Sequence, residues 1–62
     1  MIKLTLTNNT EILINTNIIN KVESTEPTKI ILQDGREIEV IESAMTILNL
    51  IQALTYRNEN NP

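Results

Sequence analysis

KIILQDGREIEVI, residues 29–41, runs without a break into ESAMTILNLIQALTY, residues 42–56, and this stretch decides the fold. Apolar and polar residues alternate on both sides of Asp34-Gly35, the pattern of two half-buried strands joined by a turn. Asp-Gly usually marks a two-residue turn. That register would set Leu32 opposite Glu37 and Ile30 opposite Glu39, mixing the faces. A three-residue loop, Gln33-Asp34-Gly35 with Gly35 left-handed, instead pairs Leu32 with Arg36 and Ile30 with Ile38. It gathers Ile30, Leu32, Ile38 and Val40 on one face and Lys29, Ile31, Glu37 and Glu39 on the other. A slip of one residue would reverse the sorting, so the register is well specified.

The segment that follows reads as a helix. Ser43 is a suitable N-cap, with Glu42 beside the positive end of the helix dipole. At 100° per residue, Leu50, Leu54, Ile47, Ile51, Ala44 and Leu48 share one arc, and Ile47, Leu48, Ile51 and Leu54 are expected to cover the sheet. The far side holds Met45, Thr46, Asn49, Gln52, Ala53 and Tyr56. No charged residue occurs between Ser43 and Tyr56. A helix that only covers a sheet normally carries Glu and Lys outward, so this one is expected to meet a second molecule. The contact residues expected are Met45, Leu50, Ala53 and Tyr56, with Leu50 outside the core. Exposed Ile31 and Ile41 on the second sheet face point the same way.

Working toward the N-terminus, Ile2, Leu4 and Leu6 alternate with Lys3, Thr5 and Thr7, which are expected to face water. Asn8-Asn9 breaks the pattern, and Ile12 and Ile14 resume it. Matching the faces requires a three-residue loop, Thr7-Asn8-Asn9, with Asn in the left-handed position it tolerates. Between the hairpins, residues 15–19 suit a short turn and 19–23 a strand. Ile19 and Val22 have opposite parity, which suggests a bulge. The register of the segment 15–24 stays open at this level. Pro27 marks the turn before Lys29.

These readings predict one α+β domain over residues 1–57. It is a small antiparallel β-meander of four to five strands and two hairpins, with one C-terminal amphipathic helix packed on the sheet. A polar tail, 58–62, follows.

Composition narrows the function. A chain of 62 residues buries little surface, and it has neither cysteine nor histidine to supply a disulfide or an ordinary zinc site. Association with a protein partner or a second copy is therefore the expected support. Five basic residues against eight acidic ones are scattered, and Tyr56 is the only aromatic, which argues against nucleic-acid binding. Glu37, Glu39 and Glu42 are the densest carboxylates but read as solvated surface. Ser43 has no histidine to activate it. No catalytic, cofactor-binding or metal-binding residues are assigned, and no small-molecule substrate is predicted. The N-terminus lacks a signal-peptide core and no run is long enough to span a membrane, so a cytoplasmic, non-enzymatic protein is expected.

Taken in order, MIKLT, Asn8-Asn9, INTNIINKVES and TEPTKIILQDGREIEVIES resemble the FlbD family, also called SwrD, of small flagellar-operon proteins. The likeness covers residues 1 to about 56 and rests on the ordered combination of turns and aliphatic strands. Asn9 stands where the family tends to have glycine, and the helix AMTILNLIQALTY lacks the family's usual charges. The resemblance implies a non-enzymatic role in flagellar assembly or motor performance. A phage accessory or virion-assembly protein of the same fold is an alternative. Residues 18–54 also resemble part of a LytTR-type DNA-binding domain, which would imply a small transcription regulator.

Overall fold

The computed structural model describes residues 1–59, with side chains through Leu54. Its elements are β1 (Ile2–Thr5), β2 (Glu11–Ile14), a 3-10 turn (Thr16–Ile18), β3 (Ile19–Glu23), β4 (Thr28–Leu32), β5 (Glu37–Val40) and α1 (Ala44–Glu59). Strands β1 and β2 form one antiparallel sheet, and β3-β4-β5 form a second. An isolated antiparallel bridge between Leu6 and Val40 joins them. This is the small α+β meander expected from the alternation. The expected tail overlaps the end of α1 at residues 58–59, and residues 60–62 lie outside the described ones.

Both hairpin loops have three residues. Leu4 pairs with Ile12, and the Leu6 N–H donates to the Thr10 carbonyl at 2.8 Å, closing Thr7-Asn8-Asn9. In the second hairpin Ile30 pairs with Ile38, and the Leu32 N–H donates to the Arg36 carbonyl at 2.8 Å. The closing residues are left-handed, Asn9 at φ 72° and Gly35 at φ 93°. The middle segment resolves as the 3-10 turn and β3, with the register shift between Ile19 and Lys21.

Consistent registers assemble one core. Ile2, Leu4, Ile14, Ile30, Leu32, Val40 and Ile47 are buried, with Leu6, Ile12, Ile19, Val22, Ile38, Leu50, Ile51 and Leu54 packed around them. Among the described residues, the helix places Ile47 in that core, with Leu50, Ile51 and Leu54 partly buried against it.

Three expectations are corrected. Leu48 is 47% exposed: set 100° around the helix from Ile47, it borders the open trough between α1 and β3 instead of entering the core. Ile31 is half-buried, lying on β4 directly between Lys21 of β3 and Glu37 of β5. Thr5 is half-buried, because its backbone is engaged by the segment that leads into α1. Ile41, by contrast, is exposed as expected.

Candidate interaction surface

The helix start fixes the surface. Ser43 caps α1: the Thr46 N–H donates to its Oγ at 3.1 Å, and the Ile47 N–H donates to its carbonyl at 3.0 Å. Just before it, the Thr5 N–H donates to Glu42 Oε1 at 2.9 Å, while the Ile41 N–H donates to the Thr5 carbonyl at 2.9 Å. Both backbone groups of Thr5 are thus satisfied by residues 41 and 42. Partial burial pushes the Glu42 carboxyl up, but the hydrogen bonds from Thr5 outweigh it and hold it below its ordinary value. Glu42 therefore serves as a clasp between β1 and α1 rather than as a free charge at the helix end.

With its first turn held, α1 turns a chemically distinctive flank outward. Met45 is 65% exposed and Leu48 stands beside it, one helical step apart (i, i+3). Thr46, Asn49, Gln52 and Ala53 complete an exposed surface without charge. Among the residues expected at a contact, Met45 and Ala53 are exposed, whereas Leu50 is half-buried against the core. The side chain of Tyr56 lies outside the described residues. Leu48 was missed as a surface residue. Its signal was its place at the extreme end of the apolar arc.

Beside Leu48 a trough of about 480 Å³ separates α1 from β3. Its apolar lining comes from Ile19 and Val22 on the strand and Ala44, Leu48 and Ile51 on the helix, with Lys21 at the rim. A second, more polar cleft lies between the turn Ser24–Thr28 and Ile41-Ser43.

Elsewhere several charges pair locally. Asp34 accepts from the Arg36 N–H at 3.0 Å and from Arg36 Nε at 2.7 Å, and the backbone bond foremost holds its carboxyl below the usual value. Lys21–Glu23 at 3.4 Å and Lys29–Glu37 at 3.3 Å are ion pairs on the outer sheet face. Among the described residues no group of carboxylates is arranged to hold a metal ion, and no helix is long and apolar enough to cross a membrane.

Fold and surface together describe a small scaffold that presents an uncharged helix flank. The profile of the FlbD family, flagellar and swarming motility proteins, matches residues 1–59. The chain belongs to that family. The match takes in the whole of residues 18–54, the stretch that also resembles a LytTR-type domain. Comparison with curated proteins and with solved structures gave no match.

Proposed function

We propose that this protein is a cytoplasmic, non-enzymatic accessory of flagellar or swarming motility that acts by binding other protein chains, itself included. The observation that carries the reading is the outer flank of α1, where Met45 and Leu48 are exposed on a helix with no charge from Ala44 to Ala53. Apolar side chains gathered on one uncharged face favour protein contact over solvent. Met45, Leu48 and Ala53 form the proposed contact surface, with Tyr56 extending it along the sequence. Leu50 supports that surface from below through its contact with the core. The family match over residues 1–59 supports a motility role over a regulator or a virion component.

The test is complementation. Motile cells lacking this protein are supplied with the wild-type chain, Met45→Glu or Leu48→Glu, at equal protein levels. The reading expects wild type to restore swarm expansion and both variants to fail while keeping their circular dichroism spectra. Full swarming by both folded variants would sink it.

A further inference from the structure

Strand β3 is an open edge of the three-stranded sheet. Its backbone directions follow from bonds on the neighbouring strand. The Leu32 N–H points to β5, donating to Arg36, while the Gln33 N–H points to β3's side, donating to Ile18 at 2.7 Å. Alternation along β4 then turns Ile31 and Lys29 toward β3. Their register partners, Lys21 and Glu23, use their backbone groups inward. Val22, between them and opposite Ile30, turns its N–H and C=O outward to the open edge.

We propose that β3 pairs antiparallel with β3 of a second copy, with Val22 on the two-fold axis. This deepens the self-association part of the proposed function and rests on it. Charge selects the register. Lys21 and Glu23 already pair within each chain at 3.4 Å; with Val22 facing its own counterpart, Lys21 also stands opposite the second copy's Glu23, and Glu23 opposite its Lys21. Moving the axis to Lys21 would instead oppose two lysines, which is unfavourable. The bulge beside Asn20 keeps the ladder short and confines pairing to the residues around Val22. The two three-stranded sheets become one of six strands, with both helices on the same face. The trough that Val22 and Leu48 line then lies along the dimer seam, which gives the exposed Leu48 a place to be covered. The other open edge, β2, has Glu11 as its one charged residue and offers no such complementarity.

The experiment is molar mass by light scattering, from micromolar to several hundred micromolar, on wild type, Lys21→Glu, Glu23→Lys and an equimolar mixture of the two variants. Each variant alone opposes like charges and is expected to weaken dimerisation at least tenfold. Mixed, they restore both opposite-charge pairs, and the heterodimer is expected to return to the wild-type range. Val22→Pro removes the outward N–H without taking a bond from β4, so it is expected to stay folded and monomeric. A wild-type dimer with no response to either charge reversal or to Val22→Pro overturns the β3 edge and leaves self-association standing. A wild type monomeric throughout overturns both.

Discussion

The backbone N–H of Thr5 donates to the carboxylate of Glu42 at 2.9 Å, a bond between residues 37 positions apart. It ties the first hairpin to the start of the helix, next to the Leu6–Val40 bridge. A hydrogen bond to a charged group contributes about 1.5–3 kcal/mol, and partial solvation of this carboxylate reduces that. Glu42→Ala is expected to cost about 1 kcal/mol. For a domain of this size that lowers Tm by about 4–8 °C, measurable by thermal circular dichroism. Glu39→Ala on the exposed face should change stability by less than about 0.5 kcal/mol.

The same bond sets the acid behaviour. The folded Glu42 pKa lies below the ordinary 4.5, so the unfolded chain binds that proton more tightly. Its contribution is fully present above 4.5 and is lost as pH falls through the lowered folded value. Asp34 has the same sign, starting from 3.8. Denaturant midpoints measured from pH 7 downward should therefore fall below about pH 4.5. Glu42→Gln should flatten the drop; an unchanged slope would remove Glu42 as its cause.

The two left-handed loop residues are expected to respond differently. Nothing lies within 4 Å of a side chain added at Gly35, so Gly35→Ala pays only for its φ of 93°. That costs about 1 kcal/mol. Asn9 at φ 72° is already a tolerated residue, and Asn9→Gly should stay within about 0.5 kcal/mol of wild type. Urea denaturation of both variants compares them directly.

Helix substitutions divide by flank. Leu50→Glu would place a charge against the core and is expected to destabilise by about 2–3 kcal/mol, visible as loss of helical circular dichroism on mild heating. Met45→Glu, on the exposed flank, should stay within about 0.5 kcal/mol of wild type.

Strand positions were legible because side chains alternate with a period of two, so a slip of one residue would split Ile30, Leu32, Ile38 and Val40 between the two faces. Both loop lengths followed from that constraint, and the bulge from the parity of Ile19 and Val22. The helix was legible in extent but not in orientation. An apolar arc states which residues prefer burial, not how wide a surface is available: Leu48, expected in the core, is 47% exposed, and Leu50, expected outside it, is half-buried. Thr5–Glu42 was beyond reach because nothing local links residues so distant in the chain. The uncharged helix flank was legible in the sequence, while the exposure of Leu48 on it was not.

The most direct test of the association surface is sedimentation equilibrium on wild type and Met45→Glu across the same concentration range. The expected result is a wild-type mass that rises to a defined multiple of the monomer, with Met45→Glu folded and markedly weaker in assembly. A wild-type chain that sediments as a monomer at every concentration, or a Met45→Glu variant that assembles equally well, would contradict the account.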